Sequence, residues 1–266
     1  TSKINSDISY FSSHNLVGYK EGTSKPDEYL IFMAHWDHLG INDELIGDQI
    51  FNGAADNAAG VAAVIELARK FDQVQTERSI IFTALTLEES GLLGSAYLAE
   101  NPPVDLANIV AGFNFDRVLP TGKTKDMAVI GYGASELEDY LEKELEKQGR
   151  YINPDPNPEK GYFYRSDHIS FAKKGVPVLY SDDGFDLEDG GIEKGFNEIY
   201  DYTNFRYHGV KDEYDPSWNL EGFEQTINTI FNSSLDLSNS SDWPNWYEGN
   251  EFRATRDAQL SSKNTP

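Results

Sequence analysis

Apolar runs punctuate this chain, and several of them end on a polar cluster. YLIFMA at 29–34 is apolar throughout and flanked by polar residues, the pattern of a buried strand. SIIFTALTL at 79–87 reads the same way, as do the run 108–115, MAVIG at 127–131 and GVPVLY at 175–180. Elsewhere the period changes. NAAGVAAVIELARKF at 57–71 sets apolar residues at helical spacing among alanines, which predicts a helix packed on a sheet. Residues 135–149 alternate Glu and Lys behind a leucine face, 220–235 read as a last long helix, and 91–98 start a short one. A glycine- and acid-rich stretch at 182–195 reads as a mobile loop. Strands alternating with helices predict a three-layer α/β sandwich: a central mixed, mainly parallel sheet flanked by helices.

Composition narrows this picture without overturning it. At 266 residues the pattern fits a single domain over 1–266, with peripheral segments at 1–26 and 236–266. Forty-five acidic against 22 basic residues give a net charge of −23, which argues against a nucleic-acid partner. Cysteine is absent, so disulfides, thiolate metal sites and thiol nucleophiles are excluded. No run of 18 apolar residues marks a membrane segment. The chain begins at Thr1 without a signal sequence, and the expectation is a processed catalytic fragment of a secreted or periplasmic protein.

In open α/β sheets, ligands sit beyond the carboxyl ends of the strands. The polar candidates fall there. His35 and Asp37 follow the first run, Glu88 and Glu89 the second, and Asp116 the third; Asp56 precedes a helix. Each has an ordinary explanation as well. His35 could cap a strand end, Asp56 could be a helix N-cap, Glu88–Glu89 could be a solvated pair, and Asp116 could pair with Arg117. Equally, His35 could hold a metal with a carboxylate steering its ring, and adjacent glutamates could divide into ligand and general base. Arg165, Asp167 and His168 cluster in YRSDHISF as a further metal site or a substrate-facing group. Tyr207 and His208 stand together in RYHGVKDEYD, where the phenol could serve an oxyanion and the imidazole a metal. No phosphate-binding loop, G-x-S-x-G elbow or H-E-x-x-H is present.

Taken in order, MAHWDHLG, GAADNAAG, LEESGLLGS, NFDRV, YRSDHISFAKKGVPVLY and YHGVKDEYD resemble the M28 family of zinc peptidases, di-zinc aminopeptidase type. The resemblance runs from about residue 15 to 231. It implies the zinc-exopeptidase sandwich and two Zn2+ ions. One would take His35, Asp116 and bridging Asp56; the other would take Glu89, His208 and the same Asp56. Glu88 matches the general base, Asp37 the carboxylate orienting His35, and Tyr207 an oxyanion donor. Arg165 matches an arginine near the substrate in some members, with Asp167 and His168 grouped beside it as substrate-binding. His38 is left as a structural or outer residue. The 56–57 peptide bond is often cis in that family.

The sequence departs from the common pattern at Ala55, where an aspartate is frequent, and at Gly209, where Thr or Ser is frequent. The activity implied is removal of N-terminal residues from peptides with a free amino terminus. Three alternatives stay open at this stage: a glutaminyl cyclase on the same scaffold, a metallo-carboxypeptidase using Arg165 and Arg206, and a binding module without catalysis. Loops after Asp182 and around Trp218 are expected to shape the substrate side-chain pocket.

Overall fold

A computed structural model describes residues 4–263; residues 1–3 and 264–266, the outer ends of the two segments read as peripheral, lie outside it. The strands are β1 (Leu16–Lys20), β2 (Lys25–His35), β3 (Gly40–Ile41), β4 (Ile50–Phe51), β5 (Arg78–Leu85), β6 (Ile109–Asn114), β7 (Asp126–Val129), β8 (Tyr151–Pro154) and β9 (Val178–Asp183). The helices are α1 (Ala59–Asp72), α2 (Leu93–Glu100), α3 (Leu137–Lys147), α4 (His168–Ala172), α5 (Gly191–Phe205), α6 (Glu221–Ser238) and α7 (Arg253–Lys263). Seven strands form the main sheet in the order β1-β5-β2-β6-β9-β7-β8, and β3 pairs with β4 in a separate hairpin. The four central strands run parallel, while β1 and β7 are antiparallel to their inner neighbours. This is the mixed, mainly parallel sandwich expected from the pattern.

Alternation along β2 makes two cores from one strand. Leu30, Phe32 and Ala34 pack with Leu67 and Phe71 of α1 and with α3 and α6 on one face. Tyr29, Ile31 and Met33 pack with Leu98 of α2 and Phe171 of α4 on the other. Burial on both faces is why YLIFMA carries no polar residue. Helix α1 turns its Ala63, Val64, Leu67 and Phe71 inward and carries Arg69 and Lys70 in its last turn, where cations suit the helix dipole.

Three features differ from the pattern-based reading. Strand β1 was hidden in the segment 1–26 because it is an exposed edge strand without an apolar face to announce it. The stretch 182–195 is not one loop: β9 runs to Asp183 and α5 starts at Gly191. Glycines led to the loop reading, yet Gly195 lies inside α5 because a Cβ there would meet the Phe185 carbonyl oxygen at 2.0 Å. The segment after 236 also enters the core. Trp246 and Arg256 are fully buried; Trp246 Nε1 donates to the Gly175 carbonyl (3.0 Å) and Arg256 Nη2 to that of Ile109 (2.9 Å). No helix among the described residues is long and apolar enough to cross a membrane.

Candidate metal centre

Parallel register brings the polar clusters to one rim. His35 pairs with Leu85 of β5, and Met33 with Asn114 of β6, so residues 86–89 and 115–116 emerge beside His35. Asp56 arrives from the turn Ala54–Ala58 between β4 and α1. The Asn57 side chain locks that turn by donating to the Phe115 carbonyl (2.9 Å) and accepting the Gly60 N–H (3.0 Å). The Asp56–Asn57 peptide is cis, as the resemblance implies. Asp212, fully buried, holds the same turn from below. Its carboxylate accepts the N–H groups of Ala55 (3.0 Å) and Asp56 (3.0 Å) and the Tyr202 hydroxyl (3.2 Å). Asp212 received no role from sequence reading; the turn it holds lies over 150 residues away, beyond any local spacing.

Two groups of donors meet at Asp56. His35 Nε2 lies 3.2 Å from Asp56 Oδ1 and 3.2 Å from Asp116 Oδ1. His208 Nε2 lies 3.3 Å from Asp56 Oδ2 and 3.1 Å from Glu89 Oε2. Each oxygen of Asp56 therefore serves one group. A tetrahedral ion with ligand bonds of about 2.0 Å has donor–donor edges of about 3.3 Å, close to the imidazole–carboxylate distances in both groups. His38 approaches Glu89 differently: its Nδ1 is 2.8 Å from Oε1, a hydrogen-bond separation. The donor atoms of His38, Asp56 and Glu89 lie within 4.8 Å of one another, so His38 stands beside the same place as His208, with its 2.8 Å approach to Glu89 the closest of these contacts.

Without cations this is a costly collection of charge. Burial works against ionisation of Asp56, yet hydrogen bonds from His208 and His35 hold its carboxyl below the usual carboxylate range. Glu89 likewise resists burial and falls to about 2 through His208 and His38. His208 is raised to about 10 by Asp56 and Glu89. Burial opposes charging of His35, but Asp116 and Asp56 carry it well above its ordinary value. Glu88 is different. Burial, reinforced by the Asp116 charge, pushes it up to about 9. Two neighbouring glutamates are thus driven in opposite directions, the separation that lets one bind a cation and the other handle a proton. Leu87, Arg117 and His208 all adopt φ between 53° and 61°, an uncommon conformation for residues with a Cβ and one that gathers at functional sites.

A cavity of about 340 Å³ opens over this rim, lined by Asp56, Glu88, Glu89, Asp116, Tyr207 and His208, and also by Arg165, Tyr162 and Arg117. Tyr207 stacks on His208 at 3.9 Å, and Arg165 lies over the Tyr162 ring at 5.8 Å. Arg117 turns away from Asp116 and pairs with Asp182 at 2.5 Å.

Asp167 and His168 do not reach the cavity. Both are fully buried at the head of α4, and His168 sits between Phe163 and Tyr180 at 4.9 and 4.8 Å. Burial raises the Asp167 carboxyl to about 7 and lowers His168 to about 3, and neither lines the cavity. Their polar motif masks a core position. Asp37 also acts differently from expectation. Its carboxylate accepts the Glu88 and Glu89 N–H groups (3.0 and 3.3 Å), while His35 Nδ1 faces the Asp37 carbonyl (3.1 Å) and the carboxylate stands 3.8 Å off. Asp37 therefore anchors the glutamate loop, and its backbone orients the imidazole. Trp218 lines a separate apolar cavity of about 290 Å³ with Leu119 and Phe223, whereas Asp182 and Thr203 do line the main one.

Comparison with known proteins places the chain in a family. A probable zinc metalloprotease of Pyricularia oryzae is 34% identical over 273 aligned residues, covering 85% of this chain and 53% of that protein. The chain spans at most about half the length of the first such curated relatives. Among solved structures, the LapA aminopeptidase of Legionella pneumophila superposes with a TM-score of 0.62 at 20% identity, over 86% of this chain and 56% of that one. A glutaminyl cyclase of Bacteroides thetaiotaomicron does so with a TM-score of 0.56 at 19% identity, over 86% and 77%. These two likenesses concern the fold. The profile of peptidase family M28 matches residues 15–232, most of the chain, and the chain belongs to that family.

Proposed function

We propose that this chain is the catalytic part of a zinc-dependent aminopeptidase that hydrolyses the first peptide bond of peptides with a free amino terminus. The observation that carries this reading is the pair of donor groups joined through Asp56, with Glu88 facing the same cavity. The donors are imidazole nitrogens and carboxylate oxygens with tetrahedral spacing, a set suited to zinc. Zinc in such a pair supplies an acidified water and stabilises charge developing on the scissile carbonyl.

The chain's own groups do the rest. Glu88 accepts the proton released as water attacks and returns it to the departing amine. Without cations burial keeps a proton on Glu88, and cations beside it would favour the carboxylate that the first step needs. Asp37 keeps the loop in place through the N–H groups of Glu88 and Glu89. The Tyr207 phenol, facing the cavity with its proton firmly held by burial and neighbouring carboxylates, donates to the oxyanion. The acidic wall formed by Glu88 and Asp116 attracts the substrate ammonium, which selects exopeptidase action. Arg165, which lines the same cavity, contacts the substrate.

The test is a survey of aminoacyl anilides and short peptides with and without chelator. Chelator-sensitive release of the first residue, lost when the amino terminus is acetylated, is the expected result. Ammonia release from a peptide beginning with Gln, without hydrolysis, would assign cyclase chemistry instead.

A further inference from the structure

Two histidines stand three residues apart in MAHWDHLG, and only His35 has been given work. We propose that His38 is a positioning residue that fixes Glu89 for the second zinc. The inference rests on the dinuclear reading above and extends it to a residue outside the expected ligand set. The two oxygens of Glu89 face different imidazoles. Oε2 meets His208 Nε2 at 3.1 Å on the side of Asp56, and Oε1 meets His38 Nδ1 at 2.8 Å. The His38 and Glu89 side chains are only 8% and 7% exposed, so water does not compete for that contact. With Oε1 packed against the His38 ring nitrogen, Oε2 is the oxygen left on the side of Asp56 and His208.

His38 is itself held from two sides. Its ring meets that of His208 edge-on, with centroids 5.7 Å apart. Behind it lies Gly53, where a Cβ would stand 2.7 Å from the imidazole Cγ and 3.0 Å from Cβ. Gly53 adopts φ +62° and accepts the Ala58 N–H (2.9 Å), opening the turn that carries Asp56. One glycine therefore lets the His38 ring lie directly against the backbone that delivers the bridging carboxylate. Groups that orient a metal's ligands without touching the ion change its affinity by about 10–100-fold.

The test uses metal-stripped wild-type protein and two variants, with stepwise zinc affinities read by competition against a chromophoric chelator. His38→Phe keeps a ring against Gly53 without a polar nitrogen; His38→Gln restores a polar group beside Oε1. The expected result is one zinc step weakened about 10–100-fold in the phenylalanine variant with the other unchanged. Glutamine should recover most of the loss. Wild-type affinities in His38→Phe, equal weakening of both steps, or a glutamine variant as impaired as phenylalanine would each overturn the proposal. Loss of a whole zinc equivalent at saturation would overturn it too, by making His38 a ligand. Failure of the wild-type chain to bind two zincs is a separate outcome, and it strikes the dinuclear reading before His38 enters.

Discussion

Two clusters of buried carboxylates sit on the same sheet and are served in opposite ways. Near β7 and β9, Asp126 is fully buried, and its oxygens accept the Asn153 amide (2.7 Å) and the N–H groups of Asp186 (2.8 Å) and Phe185 (3.2 Å). Asp183 alongside takes the Leu119 N–H and the Thr226 hydroxyl. At the carboxyl ends of β2, β5 and β6, Asp56, Glu89 and Asp116 instead face imidazoles and one another. Fixed neutral donors satisfy a carboxylate and tie down loops. Carboxylates gathered around titratable rings, with their charges uncompensated by such donors, call for cations. The first cluster builds the protein, and the second is the one the proposed chemistry uses.

The largest expected effect separates the two clusters by chemistry. Glu88→Gln should lower kcat by about 10²–10⁴-fold, the range for loss of general acid–base help, while the zinc content stays at two. Activity close to wild type in that variant would remove Glu88 from the mechanism. Tyr207→Phe comes next, with a loss of about 10²–10³ in kcat and little change in KM if the phenol meets only the oxyanion. A change confined to KM would make Tyr207 a binding residue.

Asp126→Asn asks the converse question. Turning one acceptor toward N–H groups as a donor should cost about 1–3 kcal/mol of stability, seen in urea unfolding, with kcat per folded molecule unchanged. A fall in kcat at full folding would couple the two clusters and weaken the contrast. The smallest effect concerns protons. In the metal-free chain His208 is raised to about 10 and Glu88 to about 9, so both carry a proton at neutral pH. Zinc must displace the imidazole proton, and its apparent affinity should climb as pH rises toward 10. The stability sign follows from the same shifts. The His208 contribution is complete below about 6.5 and lost through 10; Glu88 acts in the same direction between 4.5 and 9. The metal-free protein should therefore melt lower at pH 9 than at pH 6, and zinc should narrow that difference.

Much of this was legible in the chain because burial on both faces leaves strands free of charge, so each polar residue at a strand end stands out. His35, Glu88, Glu89 and Asp116 were readable for that reason, and the hydrophobic period of 57–71 placed Asp56 at the head of a helix. Position alone could not reveal partners. The Asp37 carboxylate turned out to hold two N–H groups fifty residues on, and Asp212 to hold the turn of Asp56, because such contacts depend on how loops meet rather than on spacing. Asp167 and His168 misled in the other direction. A polar tetrapeptide reads as a metal or substrate site, yet α4 is short and its first residues pack into the core. Helix α5 escaped notice because its glycines imitate a loop, although Gly195 serves close packing.

The central claim is a single centre in which Asp56 joins two cation sites. Zinc bound per chain after equilibrium dialysis tests it most directly, in wild type and in His35→Ala and His208→Ala. The account predicts two zincs in wild type and one in each variant. A wild-type chain that retains one zinc or none, or variants that both still hold two, would contradict it.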